Sequence, residues 1–277
     1  GRPDFICQKG IIDCAVSQNS AIENMLMQGG INMHTFYIRV IRAESLKLKR
    51  SPVWLAFFAL PLISAFFGTM NYKLNISVLQ SEWYSLWSQH TLFLCYLFMP
   101  ALIGTYCSYL WRLEHTRHNW NSFLTAPVPI SILYLGKLTQ AVRVTILGNL
   151  WIFLLYYVCG KFARIPSSFP WEALSWFLCG TLGAVVVCCV QLLLSLLIRS
   201  FAIPIGIALA GGIFGLFMTN RNYGMNYPYS LYCMGMRANN PYMEIHISTL
   251  LVNSIGYILL FAALSIFYLR KHERSAG

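Results

Sequence analysis

The sequence predicts an all-α integral membrane protein with six transmembrane helices and an amphipathic helix before the first of them. Of its 277 residues, 57% are hydrophobic and only 10% are charged, whereas a typical soluble domain carries about 25% charged residues. Six apolar runs each approach the roughly 20 residues that a helix needs to cross a bilayer. The basic residues flank these runs, and in that position Lys and Arg set the orientation of a membrane protein.

Residues 1–32 precede this pattern and contain no apolar run long enough for a signal peptide. Gly29 and Gly30 stand shortly before Met33, and the codons GGAGGA there would form a ribosome-binding site ahead of a Met33 start codon. We therefore expect 1–32 to be a non-native leader and 33–277 to be the six-span membrane domain. The alternative is a native disordered tail.

The segment 34–50 has the pattern of a helix that lies in the membrane interface. Phe36, Val40 and Ile41 fall at helical spacing, and Leu46 and Leu48 are nearby. The basic residues among them are Arg39, Arg42, Lys47, Lys49 and Arg50. An apolar face with cations on the opposite side suits the headgroup layer of a membrane with anionic lipids. The candidate residues of this interfacial helix are Glu44, Lys47, Lys49 and Arg50.

The six predicted spans cover 53–70, 91–110, 138–159, 173–198, 201–219 and 249–269. Only Arg199 and Ser200 separate the fourth from the fifth, so these two should form a tight helical hairpin. With the amino terminus inside, twelve basic residues after Met33 fall on the cytoplasmic side and five on the outer side. This bias predicts that both termini are cytoplasmic.

The sequence argues against nucleic-acid binding, catalysis and metal binding by this chain. The basic residues, although they give a net charge of +11, do not form the single patch that nucleic-acid binding needs. No HExxH, GxSxG or phosphate-loop motif occurs, so we expect no catalytic residue, no metal and no cofactor on this chain. His115 and His118 share a helical spacing, but Arg112 and Arg117 flank them and oppose cation binding.

The polar residues within the spans are mainly neutral. All six carboxylates after Met33 fall outside the predicted spans, whereas proton-coupled carriers usually place ionisable groups at mid-depth. Asn149, Gln191 and Asn253 do lie within spans. They either form hydrogen bonds between helices or line a substrate path.

Two polar segments connect spans. The first, 111–137, reads as a short helix, a corner marked by Pro127 and Pro129, and a lead-in to the third span. A stiff segment of this kind can transmit force from outside the membrane, and the alternative is a plain polar loop. The second, 220–248, is rich in Tyr, Asn and Met. It is either an interfacial loop or an outer gate.

Two motifs resemble one class of membrane protein. Glu44-Ser-Leu-Lys47-Leu-Lys49-Arg50-Ser51 is similar to the ExxKxKR-type opening of permease subunits in the type-2 class of ABC exporters. Leu124-Thr-Ala-Pro127-Val-Pro-Ile, followed by Tyr134-Leu-Gly-Lys137, resembles the "LLTAPVSR…YLGK" coupling region of that class. Within the class, the chain most resembles the lantibiotic-immunity permeases. Ile130, His118 and Asn119 depart from the usual pattern.

The resemblance implies a multi-pass protein of the bacterial plasma membrane in which two permeases, identical or sister chains, sit on two ATPase subunits. ATP and Mg²⁺ would be bound by those subunits, 33–277 would be a permease domain, and the cargo would be an amphiphilic peptide such as a lantibiotic. A lipid or another amphiphile as cargo, or a non-transporting sensor or assembly subunit, are the alternatives. The candidate ATPase-coupling residues are Glu114, Arg117, Asn121, Leu124, Pro127 and Lys137.

Overall fold

The computed structural model of the protein describes residues 33–49, 52–115 and 128–276. These residues form nine α-helices and contain no strand. The helices are α1 (Met33–Lys49), α2 (Val53–Leu74), α3 (Glu82–Phe93), α4 (Met99–His115), α5 (Ile130–Phe162), α6 (Ala173–Leu197), α7 (Ala202–Asn220), α8 (Pro228–Gly235) and α9 (Ile247–Ala276). A π-helix, Leu94–Phe98, joins α3 to α4, and a 3₁₀ turn, Gly224–Asn226, precedes α8.

Six of the helical stretches are long and apolar enough to cross a membrane, which confirms the predicted fold class. The second and third extend beyond their predicted limits. The second begins at Glu82 and the third at Ile130, because polar residues at these ends are buried by neighbouring helices. His90, for example, is 1% exposed, and its Nε2 lies 2.9 Å from Thr69 Oγ1 of α2.

The order and direction of the helices show which helix ends lie together at each end of the bundle. The start of α2, the end of α4, the start of α5 and the α6–α7 corner lie at one end, together with α1; we call this the α1 end. His115 Nε2 of α4 lies 3.3 Å from the carbonyl oxygen of Ser195 in α6. Arg112 stands 5.2 Å from the ring of Phe201, just before α7. The opposite end, where α7 finishes and α8 follows, is the α8 end.

The π-helix in the second span has a local cause. Pro100 has no N–H to offer the carbonyl oxygen of Tyr96, four residues earlier, and its ring crowds that oxygen. The wider turn accommodates both. Gly212 of α7 packs against the same carbonyl: a Cβ at Gly212 would stand 2.2 Å from Tyr96 O. The second span is therefore divided near its middle, with α3 on one side and α4 on the other.

The connection between α7 and α9 is not a surface loop. Tyr229, Leu231, Tyr232 and Cys233 of α8 are each at most 5% exposed, and α8 packs chiefly on α6. Cys233 donates to the carbonyl oxygen of Cys95 at 3.3 Å. Tyr229 and Tyr232 are therefore enclosed by helices, whereas Tyr223 and Tyr242 of the same connection are 63% and 64% exposed. Two glycines of α6 let α8 approach closely. Those glycines are Gly180 and Gly183.

We expect Gly183→Ala to displace α8 and to destabilise the protein. A Cβ at Gly183 would stand 2.5 Å from the backbone carbon and oxygen of Leu231, and backbone cannot move aside as a flexible side chain can. Overpacking of this kind costs about 1–3 kcal/mol. The thermal midpoint of the detergent-purified protein, followed by size-exclusion chromatography, should fall.

Gly206→Ala is the matched control for that variant. A Cβ at Gly206 meets nothing within 4 Å, and alanine favours a helix over glycine by about 1 kcal/mol. The Gly206 variant should therefore keep or raise the midpoint. Equal behaviour of the two variants would contradict close packing of α8 on α6.

Candidate functional site

At the α1 end, α1 lies along the first turns of α5. The contact is close because Gly136 has no side chain: a Cβ there would stand 2.3 Å from Val40 Cγ1. One turn further, Gln140 Nε2 donates to the carbonyl oxygen of Ile41 at 2.9 Å and to Ser45 Oγ at 2.6 Å. The amphipathic helix is thus attached to the third span by specific hydrogen bonds as well as by its apolar face.

The centre of this contact is a buried charge cluster. Lys137 of α5 donates from Nζ to Glu44 Oε1 of α1 at 3.1 Å and to Glu114 Oε1 of α4 at 3.0 Å. It also donates to the carbonyl oxygen of Leu110 at 3.0 Å. The side chains of Lys137, Glu44 and Glu114 are 0%, 6% and 9% exposed. We call these three residues the Glu–Lys–Glu cluster.

The cluster matches the hydrogen-bonding capacity of the ammonium group. A lysine has three N–H donors, and the three acceptors come from α1, from the side chain of Glu114 and from the backbone of α4. A cation beside the last turn of a helix is also favoured by the helix dipole. The Trp111 ring, 4.9 Å from Nζ, adds a cation–π contact.

Burial makes this arrangement strong and intolerant of change. Charges attract far more strongly away from water, but each has lost its hydration. Removing one partner from a buried ion pair therefore costs about 3–5 kcal/mol, because the other charge is left uncompensated. The Lys137 ammonium group consequently fixes the relative positions of α1, α4 and α5.

The structure brings together three of the residues that the sequence indicates as functional, namely Glu44, Glu114 and Lys137. The sequence assigns Glu44 to the interfacial helix and the other two to the coupling segment, without their mutual contact. Lys47 and Lys49 belong to the last turn of α1, and their side chains lie outside the described part of the molecule. The remaining indicated residues lie outside the described residues altogether; they are Arg50, Arg117, Asn121, Leu124 and Pro127.

Most of the buried polar residues are neutral, but three charged residues that the sequence places outside the predicted spans are also buried, at the α1 end. Lys137 is fully buried, Glu44 is 5% exposed and Glu114 is 7% exposed. The apolar run that predicts the third span begins after Lys137, whereas the helix begins at Ile130. Lys137 therefore lies in the second turn of a long helix and points into the bundle, where two carboxylates compensate its charge.

The structure adds Trp111, Gly136 and Gln140 to the site. Gln140 could have been found from its spacing, because it is three residues after Lys137 and so on the same helix face. Trp111 has the same spacing from Glu114, and Gly136 lies within the motif Tyr134-Leu-Gly-Lys137, but neither pattern indicates contact with the ammonium group or with α1. Among the described side chains, no group of three or more His, Cys, Asp or Glu could hold a metal ion.

Asn149, Gln191 and Asn253 lie apart from the cluster, in three different spans. Asn149 Oδ1 accepts from the hydroxyl of Tyr232 at 3.1 Å, and Gln191 Nε2 donates to the hydroxyl oxygen of Tyr229 at 2.6 Å. Asn253 Nδ2 donates to the carbonyl oxygen of Met225 at 2.7 Å. All three amides therefore contact the stretch that contains α8.

Comparison with known proteins assigns the chain to a family. The search of curated proteins returned no match. The profile of the ABC-2 family transporter protein matches residues 40–215, which is more than half of the chain and includes Glu44, Glu114 and Lys137. With six helices able to cross a membrane, the chain belongs to the ABC-2 family of transporter proteins and is a multi-pass ABC permease.

Proposed function

We propose that this chain is the permease subunit of an exporter that removes lantibiotic-type antimicrobial peptides from the bacterial plasma membrane. Family membership supports a permease and implies association with an ATPase subunit. ATP and Mg²⁺ would be bound on that separate subunit, and this chain would catalyse no reaction itself. The observation that carries the mechanism is the Glu–Lys–Glu cluster, because it ties the candidate coupling segment to the interfacial helix.

The force would enter at the connection between α4 and α5. In this proposal the cytoplasmic ATPase contacts residues 116–127, with Arg117, Asn121, Leu124 and Pro127 as candidate contacts. Glu114 and Lys137 flank that connection on its two sides. Nucleotide-driven closure of the ATPase would move both, and Glu44 would carry the movement into α1 at the inner leaflet. An ABC motor needs a stiff connection of this kind, since packed elements shift as bodies.

The outer surface of the bundle supports a lipid environment and a second permease. α2, α7 and α9 each present exposed large apolar side chains, among them Phe67, Phe217 and Phe267, which are 66%, 58% and 69% exposed. Exposed apolar area of this extent needs lipid or protein to cover it. We propose that a second permease, identical or a sister chain, covers part of it.

An amphiphilic cargo fits such walls, and the resemblance to lantibiotic-immunity permeases points to a peptide. A lipid or another amphiphile would suit the same walls. A non-transporting sensor or assembly subunit would retain the ATPase contact without moving a cargo. A peptide exporter, an exporter of another amphiphile and a non-transporting subunit would give cells different protection. The decisive measurement is therefore made in cells.

The test is protection of a sensitive bacterium. The chain would first be purified from its native membrane with its ATPase, and that subunit identified. Co-expression of the two is expected to raise the lantibiotic concentration needed to stop growth by about tenfold or more, equivalent to about 1.4 kcal/mol in effective peptide partitioning. An ATPase variant lacking its phosphate-loop Lys should give no protection. If the two proteins protect cells against other amphiphiles but not against lantibiotics, the cargo is not a peptide of this kind. If they give no protection against any amphiphile, the result favours a sensor or assembly subunit.

The orientation of the chain in the membrane can be tested by cysteine labelling. His118→Cys should react with a membrane-impermeant maleimide only after the cells are made permeable, because the coupling segment would face the cytoplasm. Ser167→Cys, at an exposed site of the α8 end, should react in intact cells, and peptide mass spectrometry would locate each label. Labelling of residue 118 in intact cells would overturn the exporter mechanism.

A further inference from the structure

Arg143 is a charged residue within the third span, Ile130–Phe162, and it is exposed on the surface of the bundle. Leu147, Leu150 and Leu154 follow it at helical spacing and are 56%, 47% and 51% exposed. Exposed leucines at that spacing mark the side of α5 that faces lipid. The Arg143 guanidinium group therefore stands at the α1 end of a lipid-facing stripe.

The charge of Arg143 is not compensated within the described part of the chain. Its guanidinium group forms no ion pair and no hydrogen bond with any described residue. The two carboxylates described at the α1 end, Glu44 and Glu114, are buried and bonded to Lys137. A charged side chain within a span is costly unless it finds a partner. The partner of Arg143 therefore comes from outside the described residues.

A groove between α2 and α5 begins next to Arg143. Its volume is about 210 Å³, and its lining is apolar. Val144 and Leu147, one and four residues after Arg143, line it on α5, and Trp54 and Phe58 line it on α2. The unpaired cation and the groove thus belong to one surface of the bundle.

The walls of the groove are held in place by specific contacts. The Trp151 ring of α5 stacks on Phe58 of α2 with their centroids 4.4 Å apart, and its Nε1 donates to the carbonyl oxygen of Phe58 at 3.1 Å. Gly148 leaves room for Phe57, since a Cβ there would stand 3.2 Å from Phe57 Cδ1. The groove is therefore formed by the packing of two helices.

The groove has a polar end and an apolar end. Trp54 lies in the first turn of α2, so Trp54 and Arg143 both mark the end of the groove that is nearer to the α1 end. Phe58 and Trp151 lie further toward the α8 end. Tryptophan favours the level of the lipid headgroups, and an arginine can extend its guanidinium group to that level. A phospholipid has the same polarity, with a charged head and apolar chains.

We propose that this groove binds one anionic phospholipid, with its phosphate group on Arg143 and an acyl chain between α2 and α5. The guanidinium fork matches the oxygens of a phosphate group, and basic sites between transmembrane helices select anionic headgroups. Arg39 and Arg42 are exposed at the same end of the bundle, so a headgroup that adds a positive charge is disfavoured.

A second copy of this chain fits the site less well than a lipid does. It could not offer Arg143 the carboxylate of Glu44 or of Glu114, because both are buried with Lys137. The proposed lipid site does not depend on the proposed export function, since it requires neither a cargo nor an ATPase.

Native mass spectrometry of the full detergent-purified chain would count the lipids that it retains. The protein would be equilibrated with equal amounts of phosphatidylglycerol and phosphatidylcholine that carry the same acyl chains. The wild type should retain phosphatidylglycerol about tenfold better, as expected for one charge-assisted contact. Arg143→Gln should abolish this preference. Arg143→Lys should keep a weaker one, because an ammonium group lacks the guanidinium fork.

Two matched controls separate the site from general effects of charge and of tryptophan. Lys271→Gln removes a positive charge from an exposed residue of α9 at the α1 end, and it should keep the preference. Trp151→Leu should lower the retention of both lipids about threefold or more, because apolar contact with the acyl chain is lost. Trp171→Leu changes a tryptophan that is 79% exposed at the α8 end, and it should lower neither.

A photoreactive lipid locates the site in the wild-type chain, so this measurement does not depend on the folding of any variant. Phosphatidylglycerol with a diazirine in its acyl chain should label the peptide 144–161, which trypsin releases by cleavage at Arg143 and Lys161. An excess of unlabelled phosphatidylglycerol should suppress that label, and the same excess of phosphatidylcholine should not.

Equal retention of the two lipids by the wild type, or an unchanged preference in Arg143→Gln, would refute the anionic-lipid site. Labelling of 144–161 that both unlabelled lipids suppress equally would reduce the groove to a surface for any lipid. A wild-type protein that has the mass of a dimer and retains no phosphatidylglycerol would assign the groove to a second permease.

Discussion

Lys137→Met is expected to release α1 from the bundle and to abolish transport. The variant removes the cation that lies 3.1 Å from Glu44 and 3.0 Å from Glu114, and it leaves two carboxylates close together away from water. Loss of one partner from a buried ion pair costs about 3–5 kcal/mol. Trypsin cleavage at Arg42, an exposed residue of α1, should become about 100-fold faster, because a helix is cut only where it opens locally.

Arg143→Met is the matched control, because it removes one positive charge from the same helix at an exposed position. It should leave cleavage at Arg42 unchanged. The triple variant Lys137→Met, Glu44→Gln, Glu114→Gln removes the whole cluster and should restore slow cleavage, since neutral replacement of a buried ion group is often tolerated. A Lys137→Met protein with wild-type cleavage and transport would show that the cluster holds nothing in place.

The triple variant also shows whether the cluster only secures α1 or is needed to transmit movement from the ATPase. If the cluster only secures α1, restored packing should restore peptide protection. If the charges are needed while the ATPase moves the connection, the triple variant should fold, keep ATP hydrolysis and still fail to protect cells. Under the proposed mechanism we expect the second result, because amide contacts are weaker than charge-assisted ones.

The fold was predictable from the sequence because its signal is additive. Each span depends on about 20 apolar residues, so no single residue decides the assignment. The ends of the spans were not predictable to the same degree. Residues such as Glu82 and Lys137 read as the polar flanks of a span, and only the neighbouring helices show that Lys137 is buried and paired.

The site was predictable in its members but not in its geometry. Glu44, Glu114 and Lys137 stand out through their resemblance to known motifs, yet Lys137 is 93 residues from Glu44 and 23 from Glu114. No spacing rule within one helix links residues so far apart. The burial of α8 was hidden for a related reason: its composition is that of an interfacial loop, and it is enclosed only because glycines of α6 admit it.

Glu114→Lys is expected to have an effect as large as that of Lys137→Met, but with the opposite charge imbalance. Two ammonium groups would compete for Glu44 and for the carbonyl oxygen of Leu110, which now accepts from Lys137 at 3.0 Å. The repulsion acts between buried groups, where screening is weak. The end of α4 should separate from α5, and the chain should lose peptide protection and most of its capture of the ATPase subunit.

Glu244→Lys is the control for Glu114→Lys, because it makes the same charge change at an exposed residue near the α8 end. Its ATPase capture should match that of the wild type. Loss of capture in both variants would attribute the effect to net charge and not to the cluster.

Inverting the whole cluster distinguishes pairing from the identity of any one residue. Glu44→Lys, Lys137→Glu and Glu114→Lys together place one carboxylate between two ammonium groups, so each charge again has a partner. If pairing is what links α1, α4 and α5, the inverted protein should recover the capture of the ATPase subunit that Glu114→Lys alone has lost. Recovery should be partial, because the carboxylate introduced on α5 cannot donate to the carbonyl oxygen of Leu110 as the lysine does. An inverted protein no better than Glu114→Lys would mean that the lysine-to-carbonyl bond, and not charge pairing, connects the coupling segment to the bundle.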